Sequence, residues 1–147
     1  MQNKIATRKK AFINRKNKYF EVTDNFFKPL VKLLNIKNKK KNFSLSLYYP
    51  SNYEVNILKL FGLIEIKKTK TLLPVIKSKN QMKFVKWQYL DPLKVNYFGM
   101  LDPCLQTKPL IPDTMLVPLL AFDSKNNRLG YGKGFYDKFL SKFLRNR

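Results

Sequence analysis

The 147-residue chain carries 30 lysine and arginine residues against 9 aspartate and glutamate residues, so its formal net charge is +21. It has no histidine and one cysteine, which excludes an internal disulfide, Ser-His-Asp or Cys-His catalysis and most zinc sites. Hydrophobic residues make up 44% of the chain, enough for the core of one domain over residues 1–147, and no apolar run reaches the roughly 20 residues that span a membrane.

The first quarter of the chain shows two helical patterns. Residues 4–19 contain neither Pro nor Gly and predict a basic, weakly amphipathic helix. Apolar residues at helical spacing between residues 26 and 34 predict a second helix, with Thr23 or Asp24 as its cap and Pro29 tolerated near its first turn.

A strand, a loop and a helix are predicted next. Apolar and polar residues alternate over residues 43–49, which is typical of a strand, and Pro50 ends it. Ser51 followed three residues later by Glu54 is the capping-box pattern, and it predicts a helix that reaches Phe61 and ends at Gly62.

The remainder of the chain predicts three strands and a final helix. Residues 72–76 and 82–87 read as two strands of a hairpin around Lys79 and Asn80, and residues 114–122 read as one buried strand. Apolar residues repeat at helical spacing from Phe135 to Leu144. Strands that alternate with helices predict an α/β fold, with a mostly parallel sheet flanked by helices in a Rossmann-like three-layer arrangement.

Three of the five glycines alternate in one short segment, residues 130–134, which we call the glycine loop. A loop between a strand and a helix N-terminus is where α/β proteins bind phosphate, because unpaired amides and the helix dipole both face the anion. Lys133 inside the loop and Arg128 before it would add positive charge. The G-x-G-x-G spacing matches neither the dinucleotide fingerprint nor the P-loop, so a simple tight turn remains an equal alternative.

The longer stretch Val117–Asp123 followed by Asn127–Leu140 closely resembles the signature of the 5-formyltetrahydrofolate cyclo-ligase family, also called methenyltetrahydrofolate synthetases. In that family the motif forms the ATP phosphate loop. The resemblance implies that Lys133 and Arg128 are catalytic residues on the phosphates and that Asp137 assists Mg²⁺. It implies ATP contacts from Lys4, Arg8, Gly130, Tyr131, Gly132, Lys133, Gly134, Phe135, Tyr136 and Asp137.

Weaker matches follow in the same order along the chain. Lys4, Arg8 and Arg15 resemble the basic N-terminal helix of the family, whose cations reach ATP. Tyr49 and Glu54 resemble the segment that contributes to the folate pocket. Phe98 opens a stretch that resembles the family turn Phe-Gly-Ile-x-Glu-Pro, and the resemblance implies substrate contacts from Tyr49, Glu54 and Phe98.

The sequence departs from the family pattern at several points. Leu119 stands where the family usually has Gly, which predicts a more crowded pocket, and Asp102 replaces the usual Glu. Family members continue beyond the last helix with another strand, so we expect a C-terminally incomplete domain that lacks this strand.

The resemblance implies ATP-dependent conversion of 5-formyltetrahydrofolate to 5,10-methenyltetrahydrofolate, with ATP and a reduced folate as partners. We expect no membrane segment, a cytoplasmic location and a monomer or weak dimer. We expect no nucleic-acid ligand, because lysine outnumbers arginine 25 to 5, a bias that can arise on a surface without selection for binding. The alternatives are an inactive remnant of the family and a basic RNA-binding module.

Purely structural roles also remain open. Glu54 is equally a helix cap, and Asp137 is equally a first-turn acid favoured by the helix dipole. Lys4 and Arg8 are equally two of many surface charges. Cys104 is expected to be a small buried apolar residue.

Overall fold

The computed structural model describes residues 2–37, 43–63, 66, 69–78, 81–105 and 107–145. The helices are α1 (Gln2–Asn17), α2 (Lys28–Lys37) and α3 (Phe135–Arg145), with 3₁₀ turns at Asp24–Phe27 and Ile57–Gly62. The strands are β1 (Ser44–Ser46), β2 (Lys70–Ser78), β3 (Gln81–Lys86), β4 (Leu93–Val95), β5 (Leu101–Pro103), β6 (Thr114–Met115), β7 (Ala121–Phe122) and β8 (Arg128–Leu129). The predicted hairpin turn at Lys79 and Asn80 lies outside the described residues.

The main sheet has four strands in the order β3-β2-β1-β6. The central strand β1 pairs in parallel with β2 on one side and β6 on the other, so that Leu45 lies opposite Thr71 and Thr114. The strands β2 and β3 pair antiparallel, as the predicted hairpin requires. The predicted α/β fold with parallel strands and flanking helices is therefore confirmed, in a mixed sheet that has one antiparallel edge.

The apolar core lies between this sheet and α2. Phe27, Val31 and Leu34 are buried at intervals of four and three residues, which places them on one face of a helical segment. The predicted second helix is confirmed, although its first turn is 3₁₀ and Thr23 makes no side-chain capping bond. The core cluster consists of Val22, Phe27, Val31, Leu34, Leu45, Leu47, Ile57, Leu60, Ile66, Leu73 and Trp87.

The predicted helix after Ser51 is wrong. Asn52 and Tyr53 have φ angles of +50° and +61°, so the backbone leaves the right-handed helical region just where the helix was expected to begin. One of the two hydrogen bonds of a capping box is present, because the Glu54 carboxylate accepts a hydrogen bond from the Ser51 amide at 2.9 Å. The only helical structure described in this segment is the 3₁₀ turn Ile57–Gly62.

The predicted single strand over residues 114–122 is also wrong, because it is split into β6 and β7. Pro118 lies between them and has no amide with which to continue a ladder. The chain then turns back, and β7 pairs antiparallel with β8 in a hairpin. The glycine loop therefore follows this hairpin rather than a parallel strand of the main sheet.

Two smaller expectations also change. The first strand is only three residues long, against the seven predicted, although the Leu47 amide still donates to the carbonyl of Leu72. Cys104 is exposed rather than buried, because the chain turns away from the core directly after β5, where the Cys104 amide donates to the carbonyl of Pro92.

Candidate functional site

The glycine loop joins β8 to α3. Gly132 and Gly134 have φ angles of +98° and +70°, a region that glycine enters without strain. The amides of residues 131–134 donate no hydrogen bond to any other described residue. These donors stand at the N-terminus of an 11-residue helix, where the dipole favours negative charge.

Arg8 of α1 lies directly against this loop. Its Nε donates to the carbonyl oxygen of Gly130 at 2.9 Å. Its guanidinium carbon is 3.2 Å from the position that a Cβ at residue 132 would occupy, which is closer than side chains normally pack. Gly132 is therefore needed both for its backbone angle and for the close approach of a cation.

The two predicted lysines are both exposed. Lys133 lies between the two glycines with positive φ, so its ammonium is carried by the loop itself. Lys4 precedes Arg8 by four residues in α1, a spacing that places the two side chains on the same face of the helix. Lys4 therefore lies one helical turn before a residue that contacts the loop, and Lys133 lies in the loop itself.

Arg128 and Asp137 form an ion pair that connects β8 to the first turn of α3. The same guanidinium donates to the carbonyl oxygen of Pro118 at 3.4 Å. The Asp137 side chain is largely exposed, so its second oxygen is accessible to a ligand. The structure thus brings the predicted cation and the predicted metal-binding carboxylate together at one edge of the loop.

Glu54 is buried, with 8% of its surface exposed, and it lies next to the loop. Its Oε1 accepts a hydrogen bond from the Tyr131 hydroxyl at 2.7 Å. Burial raises the pKa of the carboxyl, and hydrogen bonds from Tyr131 and the Ser51 backbone, together with the nearby charge of Arg15, partly oppose that rise. A buried carboxyl of this kind suits contact with a polar group of a ligand.

Three phenols surround this carboxyl. Burial is the main cause that raises the pKa of Tyr48, Tyr131 and Tyr136. The next cause is the negative charge of Glu54 for Tyr48 and Tyr136, and the hydrogen bond to Glu54 for Tyr131, so all three remain neutral hydrogen-bond donors. The Tyr136 hydroxyl is inaccessible to water and has no hydrogen-bond partner among the described residues. Because unpaired buried hydroxyls are costly, the Tyr136 hydroxyl is a donor that would gain a partner if the side chains that cover it moved aside.

Among the residues of this site, Arg15 had the least specific predicted role. Its Nη1 donates to the Tyr131 hydroxyl at 2.7 Å, and its Nη2 donates to the carbonyl oxygen of Leu119. The resemblance placed Arg15 only among the cations of a basic helix. Its contact with Leu119, the residue that stands in place of the usual Gly, uses the backbone and could not be inferred from side-chain identity.

The remaining predicted substrate contacts lie apart from these hydrogen bonds. Tyr49 packs edge-on against Trp87, with ring centroids 6.5 Å apart. Phe98 packs against Phe135 at the start of α3, with centroids 5.6 Å apart. Asp102, which departs from the family pattern, is buried and accepts a hydrogen bond from the Asn96 amide group at 2.9 Å, so it supports the turn that carries Phe98.

A cavity of about 230 Å³ opens beside the loop, between α3 and the β2–β3 hairpin. It is lined by Lys77, Gln81, Met82, Lys83, Phe135, Lys138, Phe139 and Lys142. Burial and the neighbouring Lys77 ammonium lower the pKa of Lys83. Since four lysines line this cavity, it adds positive potential next to the N-terminus of α3.

The described part of the chain contains neither a helix that could span a membrane nor a cluster of metal-binding side chains. None of its helices is long and apolar enough to cross a membrane. Within the same residues, no group of three or more His, Cys, Asp or Glu side chains is arranged to hold a metal ion.

Comparison with known proteins decides the family. The sequence profile of the 5-formyltetrahydrofolate cyclo-ligase family matches residues 3–147. The chain belongs to this family. A cyclo-ligase from Haemophilus influenzae is 31% identical over 116 residues, which cover 75% of this chain and 62% of the relative. A cyclo-ligase from Mycoplasma genitalium is 32% identical over 99 residues, covering 67% of this chain and 51% of the relative.

Solved cyclo-ligase structures share the fold. A 5,10-methenyltetrahydrofolate synthetase from Mycoplasma pneumoniae has a TM-score of 0.70 at 25% identity, covering 98% of this chain and 80% of that one. The synthetase from Aquifex aeolicus has a TM-score of 0.66 at 28% identity, covering 94% of this chain and 72% of that one. The chain spans less than two thirds of the length of the curated cyclo-ligases from Haemophilus and Mycoplasma genitalium.

Membership of the cyclo-ligase family confirms the resemblance on which the residue roles were based. The roles themselves stay predictions. Around the glycine loop, Arg8 donates a hydrogen bond to Gly130 and Arg128 forms an ion pair with Asp137. Glu54 is joined to the loop by its hydrogen bond with Tyr131.

Proposed function

We propose that this chain binds ATP at the glycine loop and 5-formyltetrahydrofolate near Glu54, and that it converts them to 5,10-methenyltetrahydrofolate, ADP and phosphate. The observation that carries the proposal is the hydrogen bond of 2.7 Å between Tyr131 and Glu54, because it brings the loop and the buried carboxyl into one site. Because the chain belongs to the cyclo-ligase family, we assign the reaction of that family to this site.

The loop suits the terminal phosphates of a nucleotide. Its four amides from residue 131 to residue 134 are free of other described partners, and the positive end of α3 lies behind them. Arg8 holds the carbonyl of Gly130, Lys133 carries an ammonium group on the loop itself, and Arg128 adds a guanidinium just before it. Charge stabilisation of this kind is most of what phosphoryl transfer asks of a protein.

The other half of the site suits a polar heterocycle. Glu54 can accept a hydrogen bond from an N–H group, and the unpaired Tyr136 hydroxyl can donate one to a carbonyl oxygen once the side chains that cover it move aside. Tyr136 belongs to the first turn of α3, directly after the loop. A formyl oxygen that accepts a hydrogen bond from this hydroxyl would therefore lie near a phosphate held by the loop amides.

The reaction follows from that juxtaposition. The formyl oxygen attacks the γ-phosphorus of ATP, the bond to the β-phosphate oxygen breaks, and ADP leaves. The folate nitrogen at position 10 then attacks the formyl carbon, loses its proton, and expels phosphate as the five-membered ring closes. Neither step requires histidine, which the chain lacks.

Magnesium is part of this proposal through Asp137. This exposed carboxylate pairs with Arg128, which lies just before the glycine loop. A single carboxylate together with nucleotide phosphates is a usual environment for Mg²⁺, which would neutralise charge on the phosphates. The residues present therefore fit a metal that arrives with the nucleotide rather than one held by a protein cluster.

The test is a turnover assay on purified protein with 5-formyltetrahydrofolate and MgATP, in which the methenyl product is followed by its absorbance. Lys133→Ala should lower kcat/KM by at least about 100-fold, the scale for loss of one transition-state contact. Lys125→Ala is the matched control, since Lys125 is also an exposed loop lysine but lies in the β7–β8 turn. A wild-type protein that binds neither ligand by calorimetry would contradict the proposal.

Neither alternative, an inactive family member or a basic RNA-binding module, is favoured by the comparisons. A cytoplasmic location belongs to the proposal as well, since it would place the protein with ATP and reduced folates.

A further inference from the structure

Tyr131 connects three segments that are far apart in the sequence. Its hydroxyl accepts a hydrogen bond from Nη1 of Arg15 at 2.7 Å and donates one to Oε1 of Glu54 at 2.7 Å. Arg15 also reaches the carbonyl of Leu119, and the second oxygen of Glu54 accepts from the Ser51 amide at 2.9 Å. A continuous chain of hydrogen bonds thus runs from α1 through the glycine loop to the segment that carries Glu54.

Burial does not account for this arrangement. Tyr131 is 38% exposed and stands outside the apolar core cluster. Its position is set by its neighbours in the loop, because Arg8 holds the carbonyl of Gly130 and Gly132 requires a positive φ. A change in the loop conformation would therefore move the hydroxyl away from Glu54.

The segment on the other side of the link is also constrained. Asn52 and Tyr53, directly before Glu54, both have positive φ angles, which residues other than glycine rarely adopt. Such conformations persist only when surrounding contacts hold them, and they are frequent at ligand sites. One hydroxyl therefore joins two segments whose unusual backbones must both be kept in place.

We propose that Tyr131 is a positioning residue that couples the two ligand sites, so that nucleotide bound at the glycine loop strengthens binding of the reduced folate at Glu54. The inference rests on the proposed function. A phosphate on the loop amides fixes the loop and so holds the Tyr131 hydroxyl against Glu54, which orients the carboxyl for the folate. By linkage, the folate must strengthen nucleotide binding by the same factor.

The protonation of Glu54 reports on the same link. The titratable and charged groups that face this carboxyl are Arg15 from α1, Tyr48 after β1, Tyr131 from the loop and Tyr136 from α3. Among these four, Tyr131 donates a hydrogen bond to the carboxylate, and that bond lowers the carboxyl pKa. Removal of the hydroxyl should therefore raise the pKa of Glu54 further.

The test compares Tyr131→Phe with Tyr97→Phe, a matched control whose side chain is 96% exposed. Calorimetry measures the affinity for 5-formyltetrahydrofolate with and without a non-hydrolysable ATP analogue, and the affinity for the analogue with and without folate. Wild type and Tyr97→Phe should show a gain of about fivefold or more in each direction, within the usual range of coupling. Tyr131→Phe should show a gain close to one in both directions, whatever its affinity for each ligand alone.

The pH dependence of folate affinity gives a readout that a loss of general stability would not move. If folate binds the ionised carboxylate, affinity falls at low pH, and this limb should shift to higher pH in Tyr131→Phe and stay in place in Tyr97→Phe. Urea midpoints should be similar for the two variants. Independent affinities in wild type, or full coupling in Tyr131→Phe, would overturn the inference and leave the proposed function standing, whereas a wild type that binds neither ligand would overturn both.

Discussion

In the four-stranded sheet, Leu45, Leu72 and Leu73 are wholly inaccessible to water, whereas in the glycine loop Tyr131, Gly132 and Lys133 are exposed. The sheet is held by burial of apolar side chains. The loop is held by hydrogen bonds from a helix more than a hundred residues earlier in the chain. The two regions should therefore respond to different substitutions, so stability and ligand binding can be changed separately.

The largest expected effect on stability lies in the sheet. Leu45→Ala in β1 empties a fully buried position between two parallel partners and should lower the free energy of unfolding by about 2–5 kcal/mol. Phe122→Ala removes a larger side chain, but this residue is 70% exposed, so the change should stay within about 0.5 kcal/mol. Urea unfolding measures both, and equal losses would contradict the assignment of the core to the sheet.

The largest expected effect on binding lies in the loop. Gly132→Ala places a Cβ 3.2 Å from the guanidinium carbon of Arg8, so either the loop or the arginine must move. We expect ATP affinity to fall about tenfold or more, equivalent to roughly 1.4 kcal/mol, by calorimetry.

Asn126→Ala separates this collision from simple backbone strain. Asn126 also has a positive φ, +61°, but lies in the β7–β8 turn. Its substitution should change stability slightly and ATP affinity by less than about twofold, equivalent to roughly 0.4 kcal/mol. Similar losses of affinity in the two variants would show that the strain of an alanine at positive φ lowers ATP affinity wherever it lies, without the contact with Arg8.

Much of the fold could be predicted because its signals are local. The two short strands of the β2–β3 hairpin and the apolar face of α2 depend on neighbouring residues, and both predictions are confirmed. The helix expected after Ser51 failed because Glu54 is also bound by Tyr131, 77 positions away, and because Asn52 adopts a positive φ. Sequence spacing carries no signal for such a distant hydrogen bond.

The site shows the same division. The glycine spacing indicated a cradle, and the angles of Gly132 and Gly134 agree with that interpretation. The contact between Arg8 and Gly130 depends on how α1 packs across the hairpin, which periodicity does not specify. The sequence therefore indicated which cationic side chains lie at the site, but not which groups they contact.

Glu54, which lies next to the glycine loop, should have a smaller effect on stability, and this effect should depend on pH. Its pKa in the folded protein is raised above the ordinary value of 4.5, chiefly by burial, so the folded state binds this proton more tightly than the unfolded state. The stability that this proton provides is complete below pH 4.5 and is lost as the pH rises through the folded pKa. In urea unfolding at a series of pH values, Glu54→Gln should flatten that fall.

Glu21→Gln is the matched control for this titration. Glu21 is exposed, and its pKa is lowered, chiefly by the hydrogen bond from Tyr19. Its contribution is therefore present above the ordinary value and is lost only as the pH falls below it. The Glu21 variant should leave the slope above pH 4.5 unchanged, and an equal flattening in both variants would rule out the buried carboxyl as its source.

The smallest expected effect on stability concerns the ion pair beside the loop. Asp137 is largely exposed, and surface ion pairs usually contribute about 0–1 kcal/mol, so Asp137→Asn should barely change the urea midpoint. Under the proposed function the same change should weaken the Mg²⁺-dependent part of ATP binding, because asparagine carries no charge to offer the metal. Calorimetry with and without Mg²⁺ separates the two contributions. A variant that loses stability but keeps its Mg²⁺ dependence would assign Asp137 to the scaffold, together with the buried sheet, and leave the loop to bind phosphate with cations and amides alone.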